Sequence, residues 1–427
     1  MIPGNLENRI REATEPAYFK WVLIPRARCN HRKRIRCIRE RGSATIAFIV
    51  SSMPMWRFQG LCDLLRNDPR FRVVIALYPF PTFSQAQKDA SMEELRGYFT
   101  QKEIPFLDLS AESQPGMVLR EKAHPDLLFY PQPYNHLFGN DLDNQHFRDS
   151  LVCYIPYAML TAKERWAYRT LLNDTAWRLF YPSEARKREA MEVLYNGGKN
   201  IRITGEVMSD AFLAPVGKSV WKPQETEKKK VIWAPHFSIS ETGMLHRDSF
   251  LWLNGFMWEL ARKYEDTIQF AFKPHPRLLT ELYRHADWGP DKADAYYRQW
   301  AEGANTQLET GPYIDLFKES DAMIHDCGSF SVEYHFTRKP VMFTTQDIQA
   351  SIGNQNELGR DGILAHYQGG TEAEIIAFLE ETVLGGIDPK QAEREAYYNK
   401  YLRPPGEHSV AENIYNEILA GIGFRDL

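Results

Sequence analysis

From Ala44 onward the chain alternates short, wholly apolar runs with longer amphipathic ones, punctuated by turn residues. Residues 45–50, Thr-Ile-Ala-Phe-Ile-Val, are apolar without alternation, as expected of a strand buried on both faces. Similar runs at 71–77, 104–107, 126–130, 151–155, 179–181 and 201–203 predict further strands, with helices over 56–65 and 91–100. A polar, charged stretch follows at 218–230, and then the alternation restarts. Strands are predicted at 231–234, 268–272, 322–324 and 341–343. Helices are predicted at 249–264, 371–381 and 409–419, the last with Ser409 as N-cap. The densest stretch is 313–343: helix, strand, a polar turn from His325 to Ser329, a helix from Val332, and a strand. Strands alternating with helices predict parallel sheets covered on both faces.

Two such runs predict an α/β chain of two Rossmann-like, doubly wound domains facing across a cleft. The expected layout is a basic N-terminal arm (1–43), a first domain (44–217), a linker (218–230), a second domain (231–388) and C-terminal helices (389–427). A length of 427 residues suits this division, at ~100–200 residues per domain.

Composition narrows the partners. The net charge of −4 argues against a polyanion binder by bulk charge, and the aromatics are too dispersed for a base-stacking platform, so no nucleic acid is expected. The five cysteines include no CxxC pair and read as reduced thiols in the cytoplasm. No run reaches the ~20 apolar residues of a membrane span, and the start has no charged-then-apolar secretory signal. Between Arg26 and Arg41, however, eight arginines and lysines meet a single acid, Glu40, just after the apolar run Tyr18-Phe19-Lys20-Trp21-Val22-Leu23-Ile24. Aromatics beside a basic cluster suit an anionic membrane surface, at ~1 kcal/mol per basic residue near lipid. The plainer alternative is a solvated basic helix leading into the first strand.

Candidate chemistry lies in three turns of the second half, each following a strand. They are Pro235-His236-Phe237-Ser238, Lys273-Pro274-His275-Pro276-Arg277 and Asp326-Cys327-Gly328-Ser329. Parallel strands bring such turns to one sheet edge, where ligands of open α/β sheets bind. The groups offered, Lys273, Arg277, two imidazoles, hydroxyls and backbone N–H groups after Ser329, suit phosphate oxygens. Glu333 suits a ribose diol; Ser329 and Glu333 could equally form a capping box. Asp141-Leu142-Asp143 has the DxD spacing of metal-binding transferases but lies in a loop-like stretch, and chance explains it. No HExxH, P-loop or GxGxxG occurs.

With these residues in view, 313–343 resembles the signature of the CDP-glycerol glycerophosphotransferases, the primases and polymerases of teichoic acid synthesis. Asp315-Leu316-Phe317, Ser320-Asp321, Ile324, Asp326, Ser329, Glu333-Tyr334 and Lys339-Pro340 match its pattern in order. Trp233–Phe237, Lys273–Pro276, and Ile203-Thr204-Gly205 with Asp210 are similar to further family segments. Departures are His325 in place of Thr, Gly328 in place of Ser, and Glu206-Val207 in place of Tyr-Pro. The family's His-Gly step is absent, Tyr154–Ala158 standing in its place.

The resemblance implies a GT-B fold and transfer of glycerol phosphate, or a related polyol phosphate, from CDP-glycerol or a similar nucleotide donor to a membrane-linked acceptor hydroxyl. It places the protein in the cytoplasm, peripheral at the inner membrane face. Donor binding would fall to Ser238, Lys273, Arg277, Asp326, Gly328, Ser329 and Glu333, with His236 and His275 as catalytic candidates. No cofactor is required, and Mg²⁺ is compatible with the chemistry. Two alternatives stand beside this reading: a GT-B glycosyltransferase using a nucleotide sugar, and a non-catalytic homologue that binds at the membrane surface. A nucleotide-sugar 2-epimerase shares the architecture, but its acidic and His-Arg turns find no strong match.

Overall fold

The computed structural model describes residues 15–134, 138–239 and 249–424. It divides into two compact units, each built on one all-parallel sheet. The first sheet comprises β1 (Ala44–Val50), β2 (Phe71–Leu77), β3 (Phe106–Asp108), β4 (Leu127–Tyr130), β5 (Leu151–Tyr154), β6 (Arg178–Tyr181) and β7 (Ile201–Ile203). Its order is β3-β2-β1-β4-β5-β6-β7. The second comprises β8 (Lys229–Ala234), β9 (Ile268–Phe272), β10 (Thr306–Leu308), β11 (Ala322–His325), β12 (Val341–Thr344) and β13 (Tyr367–Gly369). Its order is β10-β9-β8-β11-β12-β13. Both are doubly wound, and the winding reverses between β1 and β4 and again between β8 and β11. These are the two topological switch points.

The apolar runs have their expected cause. In β1, Ile46, Phe48 and Val50 enter one core while Ala47 and Ile49 enter another on the opposite face. A strand covered on both sides needs no polar residue.

The boundaries differ from the sequence reading at several places: the first unit ends its main run at Asp210 rather than at 217, and Met159–Lys163 belongs to the second unit. The last helix, Val410–Ile422, belongs to the first unit: Val410, Ile414, Ile418 and Ile422 are buried in the core with β1 and β2. Asp210 fixes its start, accepting the Val410 and Ala411 amides at 2.8 Å each. Residues 391–402 remain with the second unit, so the expected block 389–427 is split.

The stretch 218–230 is not a free linker. Trp221 is buried and donates its indole N–H to the Leu316 carbonyl at 3.3 Å. The Lys222 amide donates to Gln307 Oε1 at 2.7 Å, and Lys229 already opens β8. A tryptophan inside a charged run outweighs its neighbours, since burying an aromatic contributes ~2–3 kcal/mol.

The described part of the N-terminal arm is likewise integral. Ile24–Arg41 is an 18-residue helix, stopped by Gly42 in the left-handed region at φ 73°. Ile38 is fully buried. Arg34 and Arg41 both pair with the buried carboxylate of Asp126, and Arg39 donates to the Ile422 carbonyl at 2.6 Å. The segment is a helix docked on the first unit rather than solvated all round. The part of the arm at 1–14 lies outside the described residues.

Candidate functional site

β9, β8 and β11 are neighbours, so the three polar turns that follow them meet at one carboxyl-terminal edge, across the switch point of the second sheet. They are hydrogen-bonded into one rim. The His275 amide donates to the Pro235 carbonyl at 3.0 Å. The His236 amide donates to Asp326 Oδ1. Cys327 Sγ lies 3.3 Å from the Ala234 carbonyl.

On this rim the imidazoles of His236 and His275 stand 5.1 Å apart, edge to face. Phe237 packs on both, at 4.3 and 4.5 Å between ring centres. The Arg277 guanidinium lies 4.0 Å above the Phe237 ring and pairs with Glu281 at 3.1 Å. His275 Nδ1 accepts the Arg277 amide at 3.1 Å, which leaves the proton of the neutral ring on Nε2. Burial pushes the His275 pKa down to about 4, helped by the nearby Arg277 and Lys273 charges. His236 is built alike: its Nδ1 accepts the Ser238 amide at 3.3 Å and lies 2.9 Å from Ser238 Oγ. Both rings are thus tied at Nδ1.

Lys273 is buried. Its Nζ donates to the Gly311 carbonyl at 2.8 Å, in the segment after β10. Burial lowers its pKa, and Glu309 opposes the shift. It is a cation held in place from the back, close enough to His275 to bias that ring.

The third turn serves the rim differently. Asp326 is fully buried; one oxygen accepts the His236 amide and the other accepts Ser249 Oγ at 2.6 Å and the Ser249 amide at 3.3 Å. It joins the turn after β8 to the start of the helix Ser249–Lys263. The helix expected after Ser329 is a single turn, Phe330–Glu333, followed by a 3-10 turn, Tyr334–Thr337. Ser329 is exposed and its side chain forms no cap, so the capping-box alternative is not realised; Glu333 is buried. Gly328 accepts the Ser331 hydroxyl at its carbonyl.

The structure thus brings together His236, Ser238, Lys273, His275, Arg277 and Asp326, while Ser329 and Glu333 lie along the short helix beyond. Sequence reasoning missed Ser249, the partner of Asp326, and underrated Phe237, the surface shared by three site residues. Phe237 lay within a turn already singled out; nothing local marks Ser249.

Asp141 of the DxD pair has a structural role, its carboxylate accepting the Gly116 and Met117 amides at 3.0 and 2.7 Å at the start of the helix Pro115–Ala123. Among the described residues no group of three His, Cys, Asp or Glu side chains is gathered to hold a metal ion.

No protein-family model matches the chain, and none of the curated proteins does. Solved structures match across nearly its whole length. A variant of the wall teichoic acid polymerase TagF has 10% identity and a TM-score of 0.57, covering 97% of this chain and 98% of its own. The same polymerase after a CDPG soak gives 11% and 0.53. The UDP-GlcNAc 2-epimerase of Neisseria meningitidis, bound to UDP-GlcNAc, has 15% identity and a TM-score of 0.54, covering 88% of this chain and 99% of its own. At such identities the likeness speaks for the fold: the chain is of the GT-B class, as the motif resemblance implied.

Proposed function

We propose that the protein transfers glycerol phosphate, or a related polyol phosphate, from a CDP-linked donor to an acceptor hydroxyl in the synthesis of a cell-surface polymer. The reading rests above all on the connected rim of His236, His275, Arg277 and Lys273 at the switch point of the second sheet. The motif at 313–343 and the fold shared with a polymerase soaked in CDPG support the choice of donor.

In the proposed reaction the acceptor oxygen bonds to the β-phosphorus, the bond from that phosphorus to the CMP oxygen breaks, CMP leaves as the anion, and the hydroxyl proton passes to solvent water. Such transfers pass through a loose transition state, so neutralising phosphate charge matters more than a covalent intermediate. With Nδ1 occupied, His236 and His275 present Nε2–H, suited to donating to phosphate oxygens. His236 then donates a hydrogen bond from Nε2 to the leaving CMP phosphate and keeps its proton. Arg277 can leave Glu281, an exposed i,i+4 pair that contributes ~0.3–0.5 kcal/mol. Lys273 supplies a fixed charge, the amides near Ser329 further donors, and Glu333 would hold the ribose. Asp326 keeps the imidazole turn in position.

A second reading, a nucleotide-sugar enzyme, is favoured by the epimerase neighbours, one of them bound to UDP-GlcNAc. Incubation with CDP-glycerol, and separately with UDP- and CDP-sugars, separates the two. CMP release that requires an acceptor, is lost in His275→Ala and is kept in the exposed control Glu93→Ala supports the transferase. Stabilisation by nucleotide sugars and not by CDP-glycerol rejects it.

No helix among the described residues is long and apolar enough to cross a membrane. Peripheral attachment at the inner face, through the basic helix and the aromatics before it, completes the proposal. Liposome flotation of the chain without residues 1–43 tests that part, provided its circular dichroism is unchanged. Binding to anionic lipid equal to that of the full chain would remove it.

A further inference from the structure

The basic helix Ile24–Arg41 runs along the amino-terminal edge of the first sheet. Arg34 reaches Asp126, one residue before β4, and the Asp149 carbonyl, two residues before β5. Between this helix and the segments leading into β6 and β7 lies a cavity of about 210 Å³. Its wall includes Arg28, His31, Arg32, Arg178 and Lys199.

Asp174 is the one carboxylate on that wall. It is already engaged: it accepts the Asn196 amide at 2.8 Å, and burial pushes its pKa up to about 6. Among the described residues Arg28, Arg32 and Lys199 form no ion pair. Arg178 lies 4.7 Å above the Trp177 ring with its Nε buried and unbonded. His31 registers the resulting field: burial first, then Arg178 and Arg28, hold its pKa down at about 4. Four cations face the single, already engaged carboxylate of Asp174, with Glu417 acting on Arg178; the excess positive charge repels itself, and an anion among them relieves that repulsion.

We propose that this cavity binds a phosphate group, carried as a monoester or diester. Three guanidinium groups offer paired donors to tetrahedral oxygens, which a carboxylate with two oxygens uses less fully. The space exceeds a bare phosphate and leaves room for a small polyol. The site is distinct from the rim: it belongs to the other unit and lies at the amino end of its strands, opposite the switch-point crevice of its own sheet. The phosphate has two sources, a lipid headgroup or a soluble phosphate ester. Tyr18, Trp21 and Val22, which are 53%, 80% and 45% exposed, stand just ahead of the cavity along the chain, as a headgroup would require.

The test uses the full chain and two double variants of equal charge change. Arg28→Gln/Arg32→Gln alters the cavity; Lys33→Gln/Arg36→Gln alters exposed positions on the same helix. Calorimetric titration with inorganic phosphate and glycerol 3-phosphate is paired with flotation on phosphatidylglycerol–phosphatidylcholine vesicles. The cavity variant is expected to weaken phosphate binding about tenfold or more, and the control less than about twofold. If free phosphate also displaces the protein from vesicles, the headgroup is the source. If vesicle binding ignores both phosphate and the cavity variant, the ligand is the soluble ester. Equal losses in the two variants, or no saturable binding of any probe, overturn the site.

Discussion

The two sheets share a strand order over their first six strands yet concentrate their cations at opposite ends. In the second sheet the carboxyl edge carries His236, Lys273, His275 and Arg277. In the first, the turns after β1, β4 and β5 are rich in serine, methionine, proline and tyrosine. Their cations among the described residues are Arg57 and, at the far end of the segment after β5, Lys163, whose Nζ donates to the Gly353 carbonyl. The charge of the first unit lies instead at the amino edge, on the helix Ile24–Arg41 and beside Arg178 and Lys199. Winding alone thus marks two equivalent crevices, and side-chain chemistry sets one of them apart as the proposed place for a diphosphate.

The sharpest way to break this comparison is to remove chemistry from the rim. His275→Ala should lower CMP release by about two to three orders of magnitude, the scale of losing one preorganised donor to a developing charge. The thermal midpoint should change little, because the ring is only half-buried. An equal loss on replacing Arg57 would mean that both crevices take part in the same step.

Asp326→Ala should be the most damaging to stability. It leaves the His236 amide and both Ser249 donors unmet inside the protein, at a cost of about 3 kcal/mol. Urea unfolding followed by intrinsic fluorescence measures it. A variant as stable as the parent would show that the turn after β8 is not held from below.

Much of this was legible in advance, and the failures have physical reasons. Strands buried on both faces announce themselves, so β1, β2 and β9 lie where the apolar runs put them. The outer strands β10 and β13, Thr-Gln-Leu and Tyr-Gln-Gly, are short and polar and carry no such signal. Periodicity shows that residues 409–419 have an apolar face but not which core receives it. Along Ile24–Arg41 the arginines drew attention from Ile24, Ile35 and Ile38, the spaced apolar positions that dock the helix. In the site, proximity of the three turns followed from parallel topology. The inward aim of Asp326 did not, because its partner Ser249 is 77 residues distant.

Acid should separate the two units. His335 and His366 are fully buried in the second unit, their rings 4.6 Å apart, with the Arg394 charge acting on both. Burial lowers the His335 pKa to about 3 and that of His366 well below its usual value. The unfolded chain takes up these protons near pH 6.5 and the folded chain does not. Stability is therefore full above that value and lost as pH falls toward 3. For His335 alone the loss between pH 6.5 and 5 is ~2 kcal/mol. The second unit should unfold first on acidification, and His335→Phe should flatten its pH dependence. Unfolding of both units together at every pH would contradict this.

The smallest effect concerns two serines that the sequence offers equally as helix caps. Ser409 closes a capping box with Glu412, its Oγ accepting the Glu412 amide at 3.1 Å. Ser329 makes no such bond and lies exposed at the rim. Ser409→Ala should destabilise the first unit by about 1 kcal/mol and leave CMP release unchanged. Ser329→Ala should change stability by less than about 0.5 kcal/mol. If its hydroxyl meets the donor, as the rim's position proposes, KM for CDP-glycerol rises several-fold while the melting temperature stays put. A Ser329→Ala protein that melts early with KM unchanged would turn the residue back into a cap, and the rim would then end at Asp326.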